Sequence, residues 1–167
     1  SRDASRTALL DIGAGTGRFL SFVKSVQPDL KVTALDLSEP YLARARRALR
    51  GAKGATFVEA AAEDMPLKDA SVDIAVSIYL FHELPPKIRL AAAKEIARVL
   101  KPGGIFVLAD SIQYGDVPGF DGLIDAFPEL LHEPYYKTYA QTDLKKLFVP
   151  LKHVSNDIAY LTKISVF

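Results

Sequence analysis

The sequence predicts an α/β fold, a doubly wound and mostly parallel seven-stranded Rossmann-like sheet with a C-terminal antiparallel β-hairpin. Three observations predict it. Apolar, β-branched runs alternate with helical patterns along most of the chain. The first such run enters a glycine turn directly and continues as a helix. The last two runs are joined too tightly for a crossover, so they form a hairpin.

Ala8 to Ile12 is a short apolar strand ending at the glycine turn. Gly17 to Val26 spaces Phe19, Leu20, Phe22 and Val23 on one broad helical face, and Pro28 closes that helix. Lys31 to Leu37 is a β-branched strand with Asp36 near its end. Ser38 is then a good N-cap, with Pro40 in the first turn, for a helix running to about Arg50. Ala55 to Ala60 gives a third strand and Val72 to Tyr79 a fourth, the latter apolar enough to be buried on both faces. Pro85-Pro86 opens a long helix to Leu100, and the breakers Lys101-Pro102-Gly103-Gly104 end it. Ile105 to Asp110 is a fifth strand, making five βα alternations before the hairpin. Gly119 to Leu131 and Thr142 to Phe148 read as short helices, and Lys152 to Tyr160 with Thr162 to Phe167 as the closing hairpin. Right-handed crossovers then place every following loop on one rim, where ligands of such sheets bind at the reversal of strand order.

With 167 residues the chain is expected to be one domain, 1–167, with 112–150 inserted on the substrate side. The absence of an initiator Met and the early first strand suggest that a native N-terminal segment is missing. A composition of 49% hydrophobic and 25% charged residues fits a globular chain. A net charge of +1 supplies no global field to attract nucleic acid or an anionic membrane. The basic run Arg44, Arg46, Arg47, Arg50 and Lys53 lies in a helical pattern and reads as a solvated face. Without cysteine there are no disulfides or thiolate metal sites, and no metal is expected. No apolar run approaches the roughly 18 residues of a membrane span, and no signal peptide is evident; a cytoplasmic location is expected, with an organelle stroma or matrix as the alternative.

Leu9 to Phe19 reads LLDIGAGTGRF, with Gly13, Gly15 and Gly17 at alternate positions. Such a turn lets a ligand lie against bare backbone beside amides at a helix N-terminus. Arg18 stands where the dinucleotide fingerprint G-x-G-x-x-G needs its last glycine. With Asp11 ahead of it, the segment resembles motif I of the class I S-adenosylmethionine-dependent methyltransferases. Four later segments resemble the same family in the same order. Asp36 ends the second strand 19 residues after Gly17. Ala62-Glu63-Asp64-Met65-Pro66-Leu67 resembles the family's D-A-x-x-L-P-F. Ser71 to Ser77, followed by Phe81-His82-Glu83-Leu84-Pro85, resembles F-D-x-V-x-S…L-H-H-L-x-D, with Val72, Glu83 and Pro86 as departures. Arg98 to Gly104 is nearly R-V-L-K-P-G-G, a helix stop and turn.

The resemblance is closest to the group acting on small molecules or lipids. It implies S-adenosylmethionine as cofactor and in-line transfer of its methyl group to a small-molecule or lipid-like acceptor. By the same resemblance Asp11, Gly13, Ala14, Gly15 and Gly17 surround the cofactor. Asp36 holds its ribose, a carboxylate being an acceptor-only group suited to two hydroxyls, and Leu37 is a further candidate cofactor contact. Asp64, with Glu63 as the alternative, lies near the adenine amino group, Met65 contacts the ring, and Ser77 is a further candidate cofactor contact. Candidate catalytic groups are His82, Glu83 and Tyr79, His82 having an ordinary pKa near neutrality. Asp110, His132, Tyr135, Tyr136 and Tyr139 are candidate acceptor contacts, the tyrosines suiting a lid over an aromatic or lipid-like molecule. A methyltransferase-like scaffold is the alternative from another class. An NAD-dependent oxidoreductase is disfavoured by Arg18 and the hairpin, and a nucleic-acid methyltransferase by the lack of an N-P-P-Y or D-P-P-Y segment.

Overall fold

The computed structural model describes residues 4–130 and 132–167. Residues 1–3, ahead of the first expected strand, and Leu131, at the end of an expected helix, lie outside the described residues. A single 3-10 turn at Ala4–Arg6 leads into β1 (Ala8–Ile12), α1 (Arg18–Val26), β2 (Lys31–Asp36), α2 (Glu39–Ala48), β3 (Ala55–Glu59) and β4 (Val72–Ile78). Then follow α3 (Pro86–Val99), β5 (Leu100–Ser111), α4 (Asp121–Leu130), α5 (Tyr136–Ala140), α6 (Leu144–Leu147), β6 (Ser155–Ala159) and β7 (Thr162–Val166). The strands form one seven-stranded sheet in the order β3-β2-β1-β4-β5-β7-β6. β1 to β5 run parallel, whereas β7 is antiparallel to both β5 and β6. The order reverses between β1 and β4, which places a rim crevice at the C-terminal end of β1.

Strand alternation divides the core in two. Leu10, Ile12, Ala75, Phe106 and Leu108 face α3, where Ala92, Ala93, Ile96 and Val99 meet them. Leu9, Val32, Ala34 and Val76 face the other way, onto Leu20 of α1 and Leu42 of α2. On the α3 side Phe106, Phe148 and Phe167 join with ring centroids 4.8–5.9 Å apart, and Phe81 lies 5.2 Å from Phe148. Phe81, Phe106 and Phe148 have no exposure, and burying each ring contributes about 1.5–3 kcal/mol. Phe81 thereby fixes the loop after β4, the loop that carries His82.

Three expectations about elements change. No helix follows β3, so the alternation is broken there: residues 60–71, interrupted by Pro66, return as a loop. Glu95 accepts from the Met65 amide at 2.8 Å, and Arg98 donates to the carbonyls of Leu67 at 2.7 Å and Met65 at 2.9 Å, which fastens this loop to α3. The breakers 101–104 lie inside β5 as an irregularity, with Val72 opposite Leu100 and Ile74 opposite Ile105. The stretch Tyr136–Ala140 is a helical turn with Tyr136 and Tyr139 packed inward, as in a helix-plus-loop insertion, where the tyrosines also suited a lid.

Gly13, Gly15 and Gly17 all have positive φ, yet a side chain would meet different surroundings at each. At Gly17 a Cβ would lie 2.9 Å from the Cβ of Ala45 and 3.0 Å from its Cα, because α1 and α2 cross there. At Gly15 nothing lies within 4 Å. Gly17→Ala is therefore expected to lower the unfolding free energy by about 3 kcal/mol in a denaturant titration, combining left-handed strain and overpacking. Gly15→Ala should cost only about 1 kcal/mol of stability, and its effect should instead appear in ligand affinity.

Candidate functional site

The rim crevice is a cavity of about 450 Å³. Gly13 and Gly15 form one wall, Leu35 to Ser38 with Tyr41 a second, and Ala60 to Glu63 a third, while Tyr79, Leu80, Glu83 and Leu84 close it. Asp36 holds the centre. Its Oδ2 accepts from the Gly15 amide at 2.7 Å and its Oδ1 from the Ser38 amide at 2.8 Å. The Gly13 and Ala14 amides donate to the Leu35 carbonyl at 2.8 and 3.0 Å. These amides of the glycine turn are thus used internally. The turn offers room, and Asp36, with four lone-pair sites and two internal partners, keeps acceptor capacity for further donors.

A second cavity of about 540 Å³ shares Gly13 and Tyr79 with the first and is lined further by Asp11, Ala14, Thr16, Arg18, Phe19, Phe22 and Ile78. Asp11 is 2% exposed, and burial, reinforced by the charge of Asp36, pushes its carboxyl up from the ordinary 3.8 to about 7. The folded chain therefore keeps a proton on Asp11 that the unfolded chain releases near pH 4, so this group's contribution to stability falls as pH rises from about 4 to 7. Asp11→Asn is expected to raise the unfolding free energy by about 2–4 kcal/mol at pH 8 and by almost nothing at pH 4, read by thermal unfolding at the two pH values.

Beyond Tyr79 lies a histidine–carboxylate pair. His82 Nδ1 is 2.6 Å from Asp110 Oδ1. Asp110 has no exposure and also accepts from the amides of Phe81 at 2.8 Å and Ser111 at 2.7 Å. Burial pulls the His82 pKa down, but the Asp110 hydrogen bond and the charges of Asp110, Glu133 and Glu83 outweigh it, and the net direction is upward. For Glu83, burial pushes the pKa up, His82 opposes, and the Glu133, Asp110 and Asp36 charges add to the rise. The rings of Tyr79, Tyr136 and Tyr139 surround the imidazole at centroid distances of 6.0–6.4 Å. Tyr79 has φ +52 at the end of β4, a conformation costing about 1–3 kcal/mol that clusters at functional sites, and its hydroxyl meets Thr162 Oγ1.

Of the residues expected from the sequence, the structure brings Gly13, Gly15, Asp36, Leu37, Glu63, Tyr79 and Glu83 into the first cavity and Asp11 and Ala14 into the second. Others are placed differently. Gly17 lines neither cavity and serves helix packing. Glu63, the alternative, takes the wall position, while Asp64 points to solvent. Met65 is 3% exposed and packs in the α3-side core. Ser77 lies opposite Ile12 and Leu108 on the α3-side face, lines neither cavity, and its hydroxyl is buried without a hydrogen-bond partner among the described residues. Asp110 is enclosed and orients His82, so it cannot reach an acceptor. Tyr136 and Tyr139 are buried beneath His82, donating to the carbonyls of Ile112 and Ser111 at 3.2 and 3.0 Å, while Tyr135 and His132 remain at the surface.

Sequence reasoning missed Tyr41, Leu80 and Leu84 in the cleft wall and Arg89 beneath it. Arg89, 2% exposed, donates to the carbonyls of Phe81 at 3.0 Å, Leu84 at 2.9 Å and Tyr135 at 3.3 Å, and to Thr142 Oγ1 at 3.0 Å. It makes no ion pair among the described residues and ties the β4–α3 loop to the 112–150 segment. A charge at this place in an amphipathic helix gives no sequence signal of burial.

The family described as "Methyltransferase domain" matches residues 10–108. A carboxy-S-adenosyl-L-methionine synthase of Aeromonas salmonicida is 33% identical over 125 residues, 72% of this chain and 50% of that protein. A ubiquinone/menaquinone biosynthesis C-methyltransferase of Methylobacterium nodulans is 38% identical over 122 residues, 71% of this chain and 47% of that protein. The chain thus spans about half the length of the curated relatives it matches. A SAM-dependent methyltransferase from Aquifex aeolicus has the same fold, with a TM-score of 0.70 at 21% identity over 96% of this chain and 80% of that one.

Proposed function

The chain belongs to the class I S-adenosylmethionine-dependent methyltransferases, and from that premise we propose that it methylates a small, lipid-like acceptor by in-line displacement. One observation carries the donor half: Asp36 stands opposite the open space at Gly15, so a carboxylate and a side-chain-free wall face one cavity. These residues fit the adenosyl group. Asp36 would receive the ribose hydroxyls, Gly15 would leave room for the sugar, and Ala61, Ala62 and Glu63 of the third wall would lie toward the base.

When bound, S-adenosylmethionine supplies a methyl group already activated on its sulfonium. The chain has then to exclude water and align an acceptor, and alignment alone can lower a barrier by roughly 7–11 kcal/mol. Tyr79 separates the two cavities and stands between the donor wall and the imidazole. His82, with Nδ1–H held on Asp110, presents Nε2 as the atom that takes a proton from an acceptor hydroxyl. The insertion 112–150, with Tyr135 and His132 at its surface, forms the acceptor side. A lipid-like acceptor is supported by the exposed Tyr79, Tyr41 and Leu37 along this rim and by the quinone-pathway name of one relative.

Calorimetry with S-adenosylhomocysteine and NAD, followed by transfer of labelled methyl from S-adenosylmethionine to quinol, fatty-acid and phenol panels, tests the proposal. The expected result is binding of the homocysteine nucleoside alone and label in an organic-soluble product. Binding of NAD alone would overturn it, as would donor binding with no transfer to any panel member.

A further inference from the structure

We propose that His82 Nε2, Glu83 and Glu133 form a binding site for a first-row divalent cation of the zinc type at the acceptor end of the cleft. The three side chains come from the loop after β4 and from the segment between α4 and α5, and one ligand atom from each lies within 4.8 Å of the others. His82 is 8% exposed, and its Nε2 makes no hydrogen bond among the described residues. The nearest carboxylate to that nitrogen is Glu83, with Oε1 at 4.0 Å, too far for a hydrogen bond. A buried carboxylate on the opposite ring nitrogen fixes the tautomer of metal-binding imidazoles and strengthens them as donors, and Asp110 stands in that position at 2.6 Å.

Glu83 and Glu133 bring two carboxylates to the side of this nitrogen, and a cation there would offset their like charge. Zinc–ligand bonds of about 2.0–2.2 Å require the three atoms to draw inward by about 1 Å. His82 is held rigidly, but the Glu83 side chain is 58% exposed and has room to move. One imidazole and two carboxylates suit zinc, manganese or iron, and leave coordination positions for water or an acceptor oxygen. The site's existence does not depend on the proposed function, but its consequence does. An ion on Nε2 occupies the lone pair that would accept the acceptor's proton, so cation loading silences base-dependent transfer.

The test uses the full chain after treatment with a chelator. Cobalt(II) titration followed by visible absorption, and zinc calorimetry, are expected to show one ion per chain with a Kd below about 10 μM. His82→Asn and the double variant Glu83→Gln/Glu133→Gln should each weaken cobalt and zinc binding by about 100-fold or more. His153→Asn removes an imidazole that meets Asn156 at the surface and should bind as the parent does. Absence of cobalt binding below about 1 mM, survival of binding in the glutamate double variant, or its loss in His153→Asn would overturn the cation site. Failure of S-adenosylhomocysteine to bind while cobalt binds as described would overturn the donor reading and leave the cation site standing.

Discussion

Asp36→Ala is expected to weaken S-adenosylhomocysteine binding by about 100-fold, measured by calorimetry. Hydrogen bonds to a charged group contribute about 1.5–3 kcal/mol each, and the loss of two from the ribose hydroxyls reaches about 3 kcal/mol at the low end. At 1.4 kcal/mol per tenfold, that gives roughly two orders of magnitude. The carboxylate has a second task, because it also receives the Gly15 and Ser38 amides at 2.7 and 2.8 Å. The alanine variant should therefore loosen the glycine turn as well, whereas Asp36→Asn keeps the shape and should lose nearer tenfold. An affinity within threefold of the parent in Asp36→Ala would place the ribose elsewhere.

The second large effect concerns proton transfer. His82→Gln is expected to slow methylation of a hydroxyl acceptor by about 10²–10⁴-fold while leaving S-adenosylhomocysteine affinity within twofold. In the parent chain the rate should rise with pH through the His82 pKa, which lies above its ordinary 6.5, because only the neutral imidazole accepts a proton. Asp110→Asn removes the hydrogen bond and charge that raise this pKa, so the rising limb should move to lower pH and its plateau should fall. Stability changes with the opposite sign. The His82⁺–Asp110⁻ pair contributes fully below the unfolded pKa of about 6.5 and is lost as pH rises through the higher folded value. A pH–rate profile that Asp110→Asn leaves in place would remove His82 from the proton path.

The sheet was legible in the sequence because its strands are apolar and its turns carry glycine and proline at the points of reversal. Gly13, Gly15 and Asp36 were expected in one crevice for the same reason: they lie at strand ends, where topology alone brings them together. Alternation along β4 puts Ser77 on the face of Ile12 and Leu108, where it is packed into the sheet and lines neither cavity. Met65 was misplaced because its backbone is anchored to Glu95 and Arg98, residues of a helix distant in sequence. The acceptor side was least legible. Tyrosines in a polar segment look alike whether they cover a cleft or support it, and only the packed structure puts Tyr136 and Tyr139 under the imidazole. Glu133 meets His82 and Glu83 through a chain reversal that no local pattern encodes.

Arg89 grips the carbonyls of Phe81 and Leu84 on one side and that of Tyr135 on the other. Outer wall and imidazole carrier are therefore coupled like two arms of a lever. Under the proposed function, a guest that shifts the Tyr135 side is expected to be felt through this one guanidinium at the loop that carries the histidine.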